Sequence, residues 1–439
     1  MSAALETATV PAITTEDDIS EDFPHIKADQ CLFLQLPSGN VKQITLKPDT
    51  KIPLGKFGTF KANALIGQPF GLTYQILNNS GDIKPVRNTA LEDIESTEAN
   101  NREIFDSKDA QKLTHEEIER MKREFPDEAD EESIIKKIIE SHSSFEKKTE
   151  WSKAKYVQRK KKKFSKEFTP MRPTLYSVAE YFFERNPEKI GFLRVDTLAQ
   201  ILNFANVHAE ARYLVVDDTQ GLLISAVAER MGGYGQIMGI HDGLSSNYDV
   251  LRYHNFSKRI LDSISTLPWT MVDKDEPTSD GWVEFTEEEF EGLTDREKIN
   301  YTRRRKTVKR IEAARAVLNE GGFDGLIVAS QYLPMSILDR LLPFVAGSRP
   351  VVIYNINKEV LIDAFLHMRS SKEYVGVQMT ESWLRRYQVL PGRTHPEMTT
   401  SAGGGYILSA YRTFDTPNPH LDASKTEEQS EAKKAKTSQ

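Results

Sequence analysis

"YLVVDDTQGLL", residues Tyr213 to Leu223, decides the fold predicted for this chain. Its apolar run ends in the acid Asp217 and enters a turn, which is how a parallel α/β sheet presents its first strand to a nucleotide-type cofactor. Such a loop needs glycines, because its backbone must turn tightly and approach the ligand without a Cβ in the way. The stretch therefore predicts a strand, and it raises the question of whether the loop still holds a cofactor.

Helix-like and strand-like runs alternate on both sides of this strand. Their spacing predicts helices at 174–190, 196–207, 221–231, 333–345 and 358–369, and strands at 235–242, 325–330 and 349–356. This alternation predicts a doubly wound parallel sheet. The last two runs, 374–390 and 403–411, have no helix between them and predict a long β-hairpin at the sheet edge. The layout resembles that of S-adenosylmethionine-dependent methyltransferases, whose seven-stranded sheet ends in such a hairpin.

The loops of this predicted sheet lack three features of such a methyltransferase. The first-loop acid is usually followed by three alternating glycines, and those positions here hold Thr219, Gly221 and Leu223. The second strand should end in an acid that grips the ribose hydroxyls, and it ends in His241. An adenine N1-methyltransferase would present an Asp after 325–330, where this chain has Gln331. We therefore predict that this chain has no catalytic residue and binds no cofactor.

Composition narrows the class of protein further. The 439 residues, 38% hydrophobic and 28% charged, suit two or three soluble units with exposed charged segments. The single cysteine, Cys31, excludes an internal disulfide framework, and the nine histidines include no pair at metal-ligand spacing on one helix. The N-terminus lacks the basic start and apolar core of a signal peptide, and no apolar run reaches the roughly 20 residues of a membrane span. We expect a soluble intracellular protein with no metal site and no membrane partner.

Changes of composition along the chain predict its organisation. Acidic or Ser-, Glu- and Lys-rich ends are typical of disorder, and short alternating runs between Pro and Gly turns indicate a small β-barrel. Apolar residues at helical spacing then indicate a helical connector. The predicted regions are a disordered leader at 1–22, a β-barrel-like binding domain at 23–90, a helical connector with a basic segment at 91–170, a methyltransferase-like domain at 171–420 with a charged insertion at about 275–320, and a disordered tail at 421–439.

One segment of the connector is strongly basic. Between Trp151 and Lys166 every charged residue is basic, although the net charge of the whole chain is -7. Like charges this close repel one another and are tolerated where a polyanion neutralises them, and the interleaved Tyr156 and Phe164 can stack on sugars or bases. The segment therefore indicates contact with nucleic acid. A solvated linker face, or a nuclear-import signal that coexists with binding, would show the same pattern.

Several stretches together resemble a known family. They are "LIGQPFGLTYQI" (65–76), "NREIFDSKDAQKLTHEEI" (101–118), "KYVQRKKKKF" (155–164), "DTLAQIL" (196–202), "AERMGGYG" (228–235), "DGLIVAS" (324–330) and, most distinctively, "SWLRRYQVLPGRTHPEMTTSAGGGYILSAY" (382–411). The chain resembles the non-catalytic subunit of the eukaryotic tRNA (adenine-58-N1)-methyltransferase. The resemblance implies a methyltransferase fold without a cofactor pocket. It also implies a two-plus-two heterotetramer with a catalytic subunit, which uses S-adenosylmethionine, and a shared grip on tRNA. We expect this complex in the nucleus.

This interpretation assigns two groups of residues. The candidates for tRNA contact are Asn101, Arg102, Asp106, Lys108, Lys153, Lys155, Tyr156, Arg159, Lys160, Lys161, Lys162, Lys163, Phe164, Lys166, Arg185, Lys189, Arg303, Arg304, Arg305, Arg369, Ser370, Ser371 and Lys372. The candidates for the subunit interface are Tyr387, Leu390, Pro391, Arg393, His395, Pro396 and Met398. Ordinary surface charge would also explain the cations outside the basic segment. Two other functions stay open, namely a scaffold of another RNA–protein complex, for example in translation initiation, and a self-sufficient methyltransferase with an atypical pocket.

Overall fold

The structure is a computed structural model that describes residues 25–77, 81–86, 137, 139–141, 153, 156–157, 166–243, 245–272, 282–390, 393–400 and 402–414. The chain divides into two compact units, Met1–Pro173 and Thr174–Gln439. The first unit is a β-sheet domain, and the second is an α/β domain. No helix in the described parts of either unit is both long enough and apolar enough to span a membrane.

The first unit is built from short strands around an aromatic core. Its elements are β1 (Cys31–Gln35), β2 (Val41–Thr45), β3 (Lys51–Pro53), β4 (Thr59–Lys61), α1 (Ala62–Leu65), β5 (Thr73–Ile76), β6 (Ile83–Val86) and β7 (Glu167–Met171). Five strands form a sheet in the order β2-β1-β7-β5-β6, and β3 pairs with β4. The rings of Phe60 and Phe168 stack with centroids 4.5 Å apart, and the Tyr74 ring lies 6.0 Å from Phe168. All three are buried, and such ring pairs supply much of a small core's stabilisation.

The predicted β-barrel is not confirmed, because the sheets of this unit are open. β2 and β6 form the two edges of the five-stranded sheet and do not pair with each other. β7 lies between them in the sheet and pairs antiparallel with β1 on one side and with β5 on the other. β7 thus joins the two halves as neighbours in one layer. Of the predicted helical connector, too few residues are described to test the prediction.

The second unit alternates helices and strands. Its helices are α2 (Leu175–Arg185), α3 (Val195–Phe204), α4 (Leu222–Met231), α5 (Lys258–Asp262), α6 (Glu287–Glu291), α7 (Asp295–Glu320), α8 (Pro334–Leu341) and α9 (Lys358–Ser370). Its strands are β8 (Arg212–Asp217), β9 (Gln236–His241), β10 (Ile264–Pro268), β11 (Gly325–Ala329), β12 (Pro350–Asn355), β13 (Tyr374–Trp383), β14 (Tyr387–Leu390), β15 (Arg393–Pro396) and β16 (Gly403–Arg412).

Seven of these strands form one sheet in the order β10-β9-β8-β11-β12-β16-β13. The first five are parallel, whereas β16 runs antiparallel to both β12 and β13. The predicted doubly wound sheet with a terminal hairpin is therefore confirmed. Between β13 and β16 the chain forms a second, small hairpin of β14 with β15. We call residues 374–412 the arm.

Helices cover both faces of this sheet. On one face, apolar residues of α7, α8 and α9 share a core with alternate residues of β8, such as Leu214 and Val216. α3 and α4 contact strands of the sheet, and α2 contacts both of these helices. None of these three helices contributes to the first core, so they cover the other face. Both faces are thus buried, as a parallel sheet requires.

α7 changes the interpretation of the charged insertion at about 275–320. Ile311, Ala314 and Leu318 on this helix are buried in the core against the sheet, and Val308 is buried as well. The helix also joins β10 to β11, so its second half is the crossover that the parallel sheet needs. The sequence pattern hid this role because lysines, arginines and glutamates surround a narrow apolar stripe. Only the part before about residue 307 is additional to the sheet.

Candidate functional site

A cavity of about 550 Å³ lies where β8, β9, β11 and β12 end. Its lining includes Asp217, Thr219, His241, Ser330 and Asn355. β8 and β11 are neighbours at the point where the strand order reverses, and open α/β sheets bind ligands at this switch point. The cavity is therefore the place to test whether the loops fit a nucleotide-type cofactor.

The first loop uses its acid to hold itself together. Asp217 accepts hydrogen bonds from the Thr219 amide (2.6 Å), the Thr219 hydroxyl (2.7 Å) and the Ile224 amide (2.9 Å), and a longer one from Gly221 (3.3 Å). Burial raises the pKa of the Asp217 carboxyl, and these bonds oppose that shift. The carboxylate thus links the end of β8 to the start of α4. Its oxygens accept hydrogen bonds from these residues and not from a ligand.

The single glycine of this loop is required by packing. Gly221 has a φ of 87°, and a Cβ there would lie 2.8 Å from Cβ of Tyr248. Thr219, at the first glycine position, is buried with only 2% of its surface exposed. The conformation of the loop backbone is therefore set by packing against Tyr248 and by the Thr219 side chain. A cofactor-binding loop, by contrast, would leave its backbone accessible to the ligand.

The other strand ends are also engaged within the protein. The His241 Nδ1 lies 3.0 Å from the backbone oxygen of Asp242. Because a backbone oxygen can only accept a hydrogen bond, Nδ1 carries the proton. Burial lowers the pKa of His241, so its ring is neutral. Because this residue is a histidine, the position lacks the carboxylate that would bind ribose hydroxyls. Asp242 accepts a hydrogen bond from the Tyr332 hydroxyl. Asp218 accepts one from Ser330 (2.5 Å) and another from the Gln331 amide (3.0 Å). These residues do not fit S-adenosylmethionine, and the Gln331 loop offers no acid for a target base.

We expect Asp217→Asn to lower the free energy of unfolding by about 2 kcal/mol. The amide replaces one acceptor oxygen with a donor, which then faces the N–H of either Ile224 or Thr219. Urea denaturation of the purified chain measures the change. Asp249→Asn, in an exposed pair with Arg252 at 3.7 Å, is the matched control and should change little. An equal effect of the two substitutions would contradict the role assigned to Asp217.

A buried polar cluster holds the arm where β13 ends and β16 begins. Arg194, only 4% exposed, donates to Asp196 at 2.6 and 2.9 Å and to the backbone oxygens of Gly403 (3.1 Å) and Ala402 (3.0 Å). The Thr197 hydroxyl donates to the Gly404 oxygen at 2.8 Å and is hydrogen-bonded to Ser382. The N-terminus of α3 therefore clamps β13 and β16, the two long strands of the arm.

This clamp explains the glycine run of the arm. Gly404 lies in β16, and a Cβ there would be 2.4 Å from Ser382 Oγ and 2.5 Å from Thr197 Oγ1. Gly405 has a φ of 84°, and a Cβ there would lie 2.6 Å from the Tyr354 ring. The run therefore marks a close approach of backbone to side chains. Sequence reasoning missed Arg194 and its partners, for which this glycine run was the only local signal.

The arm brings several predicted interface residues together. β14 and β15 pair Tyr387 with Pro396 and Leu390 with Arg393, and His395 lies opposite Gln388. The side chains of Tyr387 and Met398 are 55% and 79% exposed. Pro391 lies outside the described residues. The structure adds exposed apolar residues of the arm that the sequence prediction omitted, namely Val375, Trp383, Leu384, Val389 and Tyr411.

One ion-pair cluster ties this small hairpin to the body of the unit. Arg386 pairs with Glu180 and, at 3.4 Å, with Glu184, both on α2. The Glu180 side chain is only 14% exposed, so solvent screens that pair less than an ordinary surface pair. Together with the clamp at Arg194, this contact gives the exposed apolar residues of the arm a fixed orientation within the second unit.

Most predicted tRNA contacts of the first unit cannot be placed. Asn101, Arg102, Asp106, Lys108, Lys155, Arg159, Lys160, Lys161, Lys162, Lys163 and Phe164 lie outside the described residues. Lys153 and Tyr156 are helical, and Lys166 directly precedes β7. Their assignment to tRNA contact stays a prediction from charge and aromatic content.

The predicted basic residues of the second unit do not form one surface. Arg303, Arg304 and Arg305 lie on the exposed first half of α7, where Arg304 stacks on Trp282 (5.5 Å) and Arg305 pairs with Glu284. Arg369, Ser370, Ser371 and Lys372 end α9 on the same face of the sheet; Ser370 and Ser371 make local hydrogen bonds there. Arg185 and Lys189 lie at the end of α2 and in the turn after it, on the other face. These residues thus lie in three separate groups, and the assignment of each group to tRNA contact stays a prediction.

Comparison with known proteins adds four matches. The family model described as the Gcd10p family matches residues 25–297. A protein of Debaryomyces hansenii named tRNA (adenine(58)-N(1))-methyltransferase non-catalytic subunit is 32% identical over 411 residues, which cover 89% of this chain and 87% of that protein. A protein of Kluyveromyces lactis with the same name is 33% identical over 442 residues, covering 93% and 91%. Among solved structures, a tRNA (m1A58) methyltransferase from Aquifex aeolicus covers 89% of this chain and 100% of its own, with 12% identity and a TM-score of 0.47.

Proposed function

This chain belongs to the Gcd10p family, and we infer from that membership that it is the non-catalytic subunit of a tRNA (adenine(58)-N(1))-methyltransferase. The first loop supports the same conclusion. Asp217 is saturated by hydrogen bonds from its own loop, Thr219 and Leu223 replace two glycines, and His241 stands where an acid would hold the ribose. The single observation that carries the proposal is the identity to relatives of that name over most of the chain.

The proposed role is to position tRNA while a catalytic partner transfers the methyl group. The partner would hold S-adenosylmethionine, because the loops of this chain do not fit it. Cations placed against the phosphate backbone orient a substrate without reading its sequence. The basic segment between Trp151 and Lys166 is the strongest candidate for that contact, and the exposed cations of α7 and of the turn after α9 are further candidates.

We propose that the arm provides the contact to the catalytic partner. Trp383, Tyr387, Val389 and Met398 expose more than half of their surface, and the clamps at Arg194 and Arg386 fix their orientation. Exposed apolar residues held on a rigid element are typical of protein interfaces. The proposed assembly contains two copies of each subunit and acts in the nucleus, in agreement with the resemblance and with the import-like basic run.

The test is methylation of a tRNA transcript by the purified chain alone, by the catalytic partner alone, and by the two together. We expect product only in the mixture, and no S-adenosylmethionine bound by the isolated chain in equilibrium dialysis. The mixture should also bind tRNA more tightly than the catalytic partner alone, because this chain supplies phosphate contacts. Activity or cofactor binding by the isolated chain would instead support a self-sufficient methyltransferase. Failure to associate with the catalytic partner would favour a scaffold of another RNA–protein complex.

A further inference from the structure

A second, smaller cavity lies beside the one at the switch point. Its volume is about 280 Å³, and the two cavities share Asp242. The loop after β9 contributes Asp242, the end of β10 leads into Trp269, the loop after β11 contributes Tyr332, and α8 contributes Ser336, Ile337 and Arg340. Pockets for drug-sized ligands begin at about 300 Å³. This cavity is therefore suited to a single ring system, not to a whole nucleotide cofactor.

Two aromatic rings form adjacent walls of this cavity. The rings of Trp269 and Tyr332 have centroids 6.5 Å apart and meet at 81°, edge to face, so they do not cover each other. Tyr332 is 38% exposed, and the Asp242 carboxylate raises the pKa of its hydroxyl, so the two groups lie close together at this cavity. An exposed aromatic face beside a second ring offers a stacking surface to a flat ligand.

The polar groups of the cavity narrow the class of ligand. Arg340 is exposed at the rim and supplies a positive charge. A flat ring attached to a phosphate satisfies the stacking wall and the guanidinium together.

We propose that this cavity receives one unstacked base of the bound tRNA, with Tyr332 and Trp269 as its stacking walls and Arg340 near the adjoining phosphate. The inference rests on the proposed function, since it assumes that the chain binds tRNA. Proteins that capture bases outside a duplex use aromatic faces in this way, and loss of one stack weakens binding about tenfold. The cavity would thus fix the register of tRNA by holding a base, beside the sequence-independent phosphate contacts.

The test uses the complex of this chain with its catalytic partner and a tRNA transcript. We expect Tyr332→Ala to raise the dissociation constant for tRNA about tenfold, as loss of one base–aromatic stack does. Tyr332→Phe keeps the ring but loses the hydroxyl contact with Asp242, so it should weaken binding less than Tyr332→Ala does. Leu333→Ala, at a neighbouring residue that is 68% exposed, is the matched control and should leave binding unchanged. Ultraviolet crosslinking should also attach RNA to the peptide that contains Trp269 or Tyr332, and Tyr332→Ala should weaken that crosslink.

Two results would overturn this proposal without touching the proposed function. One is wild-type affinity and an unchanged crosslink in Tyr332→Ala. The other is weaker assembly of Tyr332→Ala with the partner in the absence of RNA, which would mean that a protein group fills the cavity. By contrast, a wild-type complex that binds no tRNA would remove the proposed function itself, and this inference with it.

Discussion

Arg194→Ala is expected to lower the free energy of unfolding of the second unit by about 3 kcal/mol, measured by urea denaturation. The substitution leaves the Asp196 carboxylate and the backbone oxygens of Ala402 and Gly403 without their charged donor. Breaking a buried ion pair by removing one partner costs about 3–5 kcal/mol. We expect the lower end of this range, because the Asp196 side chain keeps 19% of its exposure to water.

The matched control is Arg252→Ala. Arg252 is also an arginine paired with an aspartate, Asp249, but both side chains are more than half exposed and 3.7 Å apart. An exposed pair of this kind contributes little, so this variant should unfold within about 0.5 kcal/mol of the wild type. If both variants lose the same stability, the clamp at Arg194 is not the special contact that its burial indicates.

The loss caused by Arg194→Ala should depend on pH in one direction. Burial raises the pKa of Asp196, but the hydrogen bond and the charge of Arg194 outweigh this effect and hold the pKa below its ordinary value of about 3.9. A carboxyl whose pKa is lower in the folded state stabilises the protein above the unfolded pKa, and this contribution disappears as pH falls through the folded pKa. The difference between wild type and variant should therefore be constant from about pH 5 to 8 and shrink below about pH 4.

The parallel sheet could be predicted because its strands are buried on both faces. Tyr213 to Val216 of β8, and all five residues of β11, are buried, so these strands appear in the sequence as continuous apolar runs. The arm could be predicted because no helix separates its two strands. In both cases a local sequence pattern is enough for the prediction. For the parallel strands, that pattern follows directly from their burial.

Other parts of the fold carry no such local signal. β7 occupies the centre of its sheet although it contains Pro170, and a proline normally argues against a central strand. Its neighbours β1 and β5 lie far from it along the chain, so no hairpin spacing announced it. The crossover role of α7 was hidden for a different reason, since only a narrow stripe from Val308 to Leu318 is apolar.

The candidate site also has features that could be predicted from the sequence and features that could not. The altered loop at Thr219 and Leu223 could be predicted, because a cofactor loop is a short motif with fixed spacing. The clamp could not, because Arg194 meets partners 208 and 209 residues away. The cavity beside Trp269 and Tyr332 was missed for a similar reason, as its walls come from three separate loops. A motif of fixed spacing shows which residues a loop lacks. Contacts between residues far apart in the sequence can be seen only in the folded structure.

Replacing Lys160, Lys161 and Lys162 by alanine is expected to raise the dissociation constant of the complex for tRNA about 100-fold near physiological salt. These residues lie outside the described part of the chain, so the argument rests on charge alone. Each lysine that neutralises a phosphate releases a counterion, and each such contact contributes about 0.7–0.9 to the slope of log affinity against log salt. Loss of three contacts should therefore flatten that slope by about 2–3 and weaken binding almost equally for different tRNA sequences.

The tail provides a control with the same change of charge. Replacing Lys433, Lys434 and Lys436 by alanine also removes three positive charges, from a run that alternates with acidic and small residues. If net charge alone governed binding, both triple variants would weaken tRNA binding alike and flatten the slope alike. We expect the tail variant to keep the wild-type slope, because long-range attraction is screened beyond about 8–10 Å at these salt concentrations. An unchanged slope in the Lys160, Lys161 and Lys162 variant would instead mean that the basic segment does not touch the phosphates, and its import-signal interpretation would then stand alone.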